Sequence, residues 1–211
     1  MRIERLVVGP LATNCYVLES EGEIAVVDPG GDGGRILARV EELGGTVRSV
    51  INTHGHVDHV AANRAVLDAA GEEAELLIHE ADAEYLAQPD AGFAMMVGQR
   101  IEAMSPTRTL VEGDEVRVGD QKLVVWHTPG HTPGGICLVG SGCAFTGDTL
   151  FVDSIGRTDL PGGSDPDMRA SLLRLQSSLA PETMLYPGHN EPGTLSRARL
   201  TNPFLGTGWL S

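Results

Sequence analysis

Four side chains of the metal-binding type crowd into six positions of Thr53-His-Gly-His-Val-Asp-His59, namely His54, His56, Asp58 and His59. No other feature restricts the fold of this chain so strongly. The apolar run Val47 to Ile51 leads into the cluster, which therefore occupies the loop at the C-terminal end of a strand. Three more residues of the same chemistry follow strand-like segments: His131 after Val124 to Thr128, Asp148 after Ala144 to Gly147, and His189 after Met184 to Pro187. A fold that uses them together must bring these strand ends to one edge of a β core, where loops make a natural site. A polar surface loop has no need of three histidines in six residues.

Imidazole nitrogen and carboxylate oxygen are the ligands that hold Zn, Fe or Mn. In His54-x-His56 an extended backbone puts both rings on one side, within reach of one ion. Asp58 and His59 lie where the chain turns into a helix and can address a second ion beside the first. Seven ligands exceed one tetrahedral site. They suit two ions if a carboxylate bridges, and ions in two-metal hydrolytic sites lie roughly 3.5–4 Å apart. Zn is the first expectation, and Fe or Mn suits the same donor set.

The other elements read as follows. Strands are expected at Arg2 to Val8, Cys15 to Leu18, Glu23 to Val27, Glu75 to Ile78, Glu115 to Val118, Lys122 to Trp126, Gly135 to Val139, Cys143 to Phe145 and Thr183 to Tyr186. Helices are expected at about Gly33 to Leu43, Val60 to Ala70, Glu80 to Leu86 and Pro166 to Leu179, the last capped by Ser164 or Asp165. Gln88 to Ser105 reads as a lid or a packed helix. Strands first, with helices between and outside, predict two packed sheets flanked by helices. The length of 211 residues suits one domain over 1–211.

A formal net charge of −14 opposes contact with phosphate backbones, so nucleic acid is a poor substrate. No stretch has the apolar length of a membrane span, and the N-terminus runs directly into a strand pattern, so a cytoplasmic protein is expected. A small-molecule substrate follows, with homo-oligomerisation left open. Cys15, Cys137 and Cys143 sit in apolar stretches and read as buried, inert thiols.

In order and spacing, Thr53 to His59, Pro129-Gly-His131, Gly147-Asp148 and Pro187-Gly-His189 resemble the signature of the metallo-β-lactamase superfamily. The resemblance implies an αββα sandwich of two mixed sheets with helices on the outer faces and metals at one edge. It also implies that His54, His56 and His131 hold one ion, that Asp58, His59 and His189 hold the other, and that Asp148 bridges them. Within the superfamily, Gly147-Asp-Thr-Leu-Phe151, Ser154-Ile-Gly-Arg-Thr-Asp-Leu160 and Thr201-Asn-Pro-Phe204 resemble the bacterial glyoxalase II-like hydrolases, which cleave thioesters. Full-length glyoxalase II adds a helical C-terminal region, whereas 22 residues follow His189 here, and no separate C-terminal substrate domain is expected.

The chemistry so implied is attack on a thioester by a hydroxide held between two cations, with Asp58 a ligand that also orients the hydroxide. Asp28 is either an acceptor for a ligand His N–H or the cap of a turn. Arg157 is the candidate for gripping a substrate carboxylate, against an ion pair with Asp153 or Asp159. His127 reads as packed, His79 as a polar strand terminus, and Arg197 and Arg199 as solvated. Three other functions compete: a one-iron persulfide dioxygenase, whose family shares the Gly-Arg-Thr-Asp stretch; a lactonase or β-lactamase; and a non-catalytic scaffold.

Overall fold

The computed structural model describes residues 1–210. Its first half runs β1 (Arg2–Val8), β2 (Thr13–Ser20), β3 (Glu23–Val27), α1 (Gly33–Leu43), β4 (Thr46–Ile51), α2 (Val57–Val60), α3 (Asn63–Ala70), β5 (Glu75–His79), α4 (Ala83–Ala87), α5 (Ala91–Met96) and β6 (Arg108–Leu110). The second half runs β7 (Glu115–Val118), β8 (Gln121–His127), β9 (Ile136–Gly140), β10 (Cys143–Gly147), α6 (Asp165–Ser178), β11 (Met184–Pro187), β12 (Gly193–Thr194), α7 (Leu195–Thr201) and α8 (Thr207–Leu210).

The strands form two six-stranded sheets, one in the order β1-β2-β3-β4-β5-β6 and the other β12-β11-β10-β9-β8-β7. Strand β2 shows why they stack. Successive side chains of a strand point to opposite faces, and along β2 Tyr16 and Leu18 enter the core between the sheets while Cys15 and Val17 enter a second core under helices. In the inter-sheet core Tyr16, Leu18, Val27 and Ile51 meet Leu123, Val125, Leu138 and Phe145 of the other sheet. Ile36 of α1 and Val66 of α3 close the outer face of the first sheet. Met168, Leu172 and Leu175 of α6, with Leu195 and Ala198 of α7, close the outer face of the second. Each of these buried Val, Leu, Ile and Met side chains contributes about 1.5–3 kcal/mol of transfer free energy. The result is the expected four-layer αββα sandwich.

Strands β3 to β6 are mutually parallel, as are β10 and β11. Parallel neighbours require crossovers, and α1, α3 and α6 supply three of them. This arrangement aims the C-terminal ends of β3, β4, β10 and β11 at one edge. Strand β8 ends there too, because it is antiparallel to β9, which is antiparallel to β10.

The structure refines several boundaries. Ser164 is the cap of α6, its side chain accepting from the Asp167 N–H. The helix expected over Val60 to Ala70 begins only at Asn63, as α3, and is separated from the preceding turn α2, which ends at Val60. The break has a local cause: the Ala62 N–H donates to the Pro29 carbonyl at 2.8 Å, so a loop of the first sheet takes the bond that would have continued the helix. Glu80 to Asp82 is a 3₁₀ turn preceding α4. The Gln88 to Ser105 segment contains the short α5. Strands β6 and β12 escape sequence patterning because they have three and two residues. Among the described residues, no helix is long and apolar enough to cross a membrane.

Candidate metal centre

His54 and His56 leave the end of β4, Asp58 and His59 ride on α2, and His131, Asp148 and His189 follow β8, β10 and β11. The structure brings all seven together. Three overlapping groups have ligand atoms within 4.8 Å of one another: His54, His56 and His131; His54, His59 and Asp148; and Asp58, His59 and His189. Asp148 reaches both ends. Its Oδ1 lies 3.4 Å from His59 Nε2, and its Oδ2 lies 3.6 Å from His131 Nε2 and 3.5 Å from His189 Nε2.

Hydrogen bonding sets the tautomers. His131 Nδ1 lies 2.7 Å from the Arg157 carbonyl and His59 Nδ1 lies 3.0 Å from Asp28 Oδ2. Carbonyl and carboxylate oxygens only accept, so both Nδ1 atoms donate and Nε2 is the nitrogen that each ring turns toward the centre. His54 Nε2, His59 Nε2 and Asp148 Oδ1 are buried without a hydrogen-bond partner. His56 Nδ1 and His131 Nε2 face one another at 2.8 Å. Buried acceptors left unpaired cost free energy, and cations placed among these donor atoms satisfy all of them. The residues present fit a metal.

Burial is the largest influence on the rings, and it drives His54 well below its ordinary value, with the neighbouring His59 and His131 acting in the same direction. It likewise lowers His56 to about 4. At the other end carboxylates win. Burial opposes charge on His59, yet Asp58, Asp148 and Asp28 together raise it to about 10. Burial would raise Asp58, but His59, His189 and the Thr13 hydroxyl hold it well below the usual carboxylate range. His54 and His56 thus offer neutral imidazoles, and at the other end a proton on His59 does electrostatically what a cation would do.

Asp28 is buried and accepts from the Thr53 N–H and the Thr53 hydroxyl, both at 2.7 Å, as well as from His59. It also has φ 51°, a left-handed conformation that Asp tolerates better than most residues. Two supporting residues carry no sequence signal of their own. Thr13 donates to Asp58 Oδ2 at 2.9 Å. Asp82, fully buried, accepts from the N–H groups of Gly55 and Gly134. Gly188 is required for closeness, because a Cβ there would lie 2.2 Å from Asp148 Oδ1 and 2.7 Å from His59 Cε1.

The Arg157 guanidinium is exposed and pairs with Asp159 through two bonds of 2.7 Å, while its carbonyl orients His131. The ion pair weighed for Arg157 is thus present, and its backbone has a role that its side chain gave no hint of. His127 stacks on His79 at 4.0 Å between ring centres, and its Nε2 donates to the Pro133 carbonyl. The three cysteines are buried.

Comparison with known proteins agrees with this geometry. The model of the metallo-beta-lactamase superfamily matches residues 8–189. A probable metallo-hydrolase, YqgX of Bacillus subtilis, is 33% identical over 97% of this chain and 98% of its own length. The hydroxyacylglutathione hydrolase GloC of Haemophilus influenzae is 32% identical over 98% and 99%. Among solved structures, the B3 metallo-beta-lactamase BLEG-1 superposes with a TM-score of 0.87 at 31% identity, covering 97% of this chain and 99% of that one. TTHA1623 in a di-iron-bound form gives 0.86 at 35%, covering 96% and 100%. ETHE1 from Myxococcus xanthus gives 0.79 at 28%, covering 97% and 84%.

Proposed function

We propose, from the premise that this chain belongs to the metallo-beta-lactamase superfamily, that it is a glyoxalase II-like hydrolase cleaving a small-molecule thioester with two divalent ions, zinc foremost. The observation that carries this reading is the position of Asp148, whose two oxygens lie within 3.6 Å of ring nitrogens from both ends of the ligand set. Likeness to the hydroxyacylglutathione hydrolase GloC supports the thioester.

When bound, such ions supply an acidified water and a Lewis acid for the carbonyl. The chain supplies the rest. Asp28 and the Arg157 carbonyl keep protons on His59 Nδ1 and His131 Nδ1, so both Nε2 atoms stay available. Thr13 donates to Asp58 Oδ2, the oxygen that lies 3.3 Å from His189 Nε2 and 3.5 Å from His59 Nε2, and so holds that oxygen toward the centre. Phe151, its ring 5.9 Å from that of His189, and Tyr85, its ring 5.8 Å from that of His56, flank the centre. Arg157 remains our choice for a substrate carboxylate, since its exposed, solvent-screened pair with Asp159 exchanges easily.

A second reading, a one-iron persulfide dioxygenase, draws on the likeness to ETHE1. Elemental analysis joined to a panel of S-lactoylglutathione, other thioesters, a glutathione persulfide, a lactone and a nitrocefin-like reporter separates the alternatives. Two ions per chain and thioester turnover are expected. One iron with O₂ uptake on the persulfide and no thioester turnover would overturn the proposal.

A further inference from the structure

Strand β2 belongs to the first sheet, yet it holds the loop of a ligand delivered by the second. Asn14, buried, donates from Nδ2 to the Pro187 carbonyl at 2.9 Å and to the Asn190 carbonyl at 2.8 Å. Its backbone N–H donates to the Gly188 carbonyl at 2.7 Å. The buried Tyr16 hydroxyl donates to the Pro187 carbonyl at 2.7 Å. Residues 187, 188 and 190 are thereby fixed around His189, with Asn190 left-handed at φ 65°. The neighbouring Thr13 bonds Asp58. Adjacent strand residues face opposite ways, so the Thr13-Asn14 dipeptide grips two ligands that arrive from different elements. Both belong to the Asp58, His59 and His189 group.

The other end has a counterpart with no residue in common. Asp82 accepts from Gly55, which lies between His54 and His56, at 3.0 Å, and from Gly134, three residues beyond His131, at 2.6 Å. It therefore joins the two loops that deliver the His54, His56 and His131 group. None of Thr13, Asn14, Tyr16 or Asp82 belongs to a ligand group.

We propose that Thr13, Asn14 and Tyr16 on one side and Asp82 on the other are positioning residues that set the affinities of two ions independently, each tether governing one ion. The proposal rests on the two-ion reading. It is tested by titrating metal-free wild type, Asn14→Ala, Tyr16→Phe and Asp82→Asn with Zn²⁺ by calorimetry, and by locating the retained ion by anomalous diffraction at limiting zinc. Loss of an outer hydrogen bond to a ligand typically weakens metal binding roughly 10–100-fold. Asn14→Ala is expected to lose that much at the Asp58, His59 and His189 ion alone, and Asp82→Asn at the three-histidine ion alone. The near-isosteric Tyr16→Phe gives a smaller loss at the same ion as Asn14→Ala and serves if Asn14→Ala misfolds. A merely structural role would lower the melting temperature of the metal-free protein while leaving the ratio of the two affinities unchanged. Equal weakening of both ions in each variant, or none, with wild type binding two, overturns the proposal. Wild type binding a single ion overturns the two-ion reading and the proposal with it.

Discussion

Asp28→Asn probes the centre with little disturbance to the backbone, because Asn tolerates the left-handed conformation that Asp28 adopts at φ 51°. One carboxylate oxygen becomes an NH₂ group. Oδ1 accepts from the Thr53 N–H, whereas Oδ2 accepts from both the Thr53 hydroxyl and His59 Nδ1. The amide keeps its oxygen toward the Thr53 N–H, and the hydroxyl can rotate to accept from the new NH₂. His59 has no such freedom. Facing a donor, its Nδ1 gives up its proton, the ring takes the other tautomer, and the Nε2 lone pair aimed at Asp148 and Asp58 is capped by hydrogen. The expected loss of affinity is roughly 10–100-fold, or about 1.4–2.8 kcal/mol. Stabilisation by a bound ligand falls by the same amount when metal is in excess. For a chain of this size the melting temperature moves about 2–4 °C per kcal/mol, so the rise on adding zinc shrinks by roughly 3–11 °C. Differential scanning fluorimetry across a zinc series, with chelator-treated controls, measures it. An Asp28→Asn protein whose zinc-induced rise equals that of wild type would refute the tautomer argument.

Other tests are simpler. Gly188→Ala pushes a methyl group into Asp148 and His59, and displacement of a reacting group by about 1 Å costs on the order of 100-fold in kcat/KM. Arg157→Ala is expected to raise KM for an acidic acyl thioester several-fold with kcat preserved, and unchanged KM removes Arg157 from substrate binding. Burial raises the Cys15 thiol well above its usual range and Cys137 to about 11, so neither should react with Ellman's reagent at pH 8 in the native protein, and activity should survive the treatment. In metal-free protein the His59 proton, held up to about pH 10 against an ordinary value near 6.5, stabilises the fold fully below the ordinary value and is lost as pH rises through 10. Chemical denaturation of the apo protein between pH 7 and pH 10 should show that decline, and a flat profile would contradict it.

The candidate ligand residues were legible in the sequence because their chemistry is rare and each follows an apolar run, and the structure groups them. Strands such as β2 and β10, buried on both faces, announce themselves by continuous apolar patterns. What stayed hidden is chemistry carried by ordinary residues. Thr13, Asn14 and Asp82 act through hydrogen bonds to partners 27 to 176 positions away, and no local pattern encodes such a partner. Arg157 was legible for its charge, whereas the structure gives its carbonyl the closer connection to the centre. The break between α2 and α3 was invisible for the same reason, since it depends on Pro29, far from the helix itself.

The bond from the Asn14 N–H to the Gly188 carbonyl crosses from one sheet to the other beside the centre. Residues delivering ligands from the first sheet lie between positions 54 and 59, and those from the second between 131 and 189. Neither half can assemble the site before the halves dock. Each complete ligand group therefore needs both halves docked, and an ion that binds only the docked state would act as a latch on the seam. Chelation should consequently speed the opening of the sandwich along its sheet-to-sheet contact before it melts either sheet, and hydrogen exchange will register this first at the Asn14 and Ile136 amides, which donate across the seam to the Gly188 and Thr53 carbonyls.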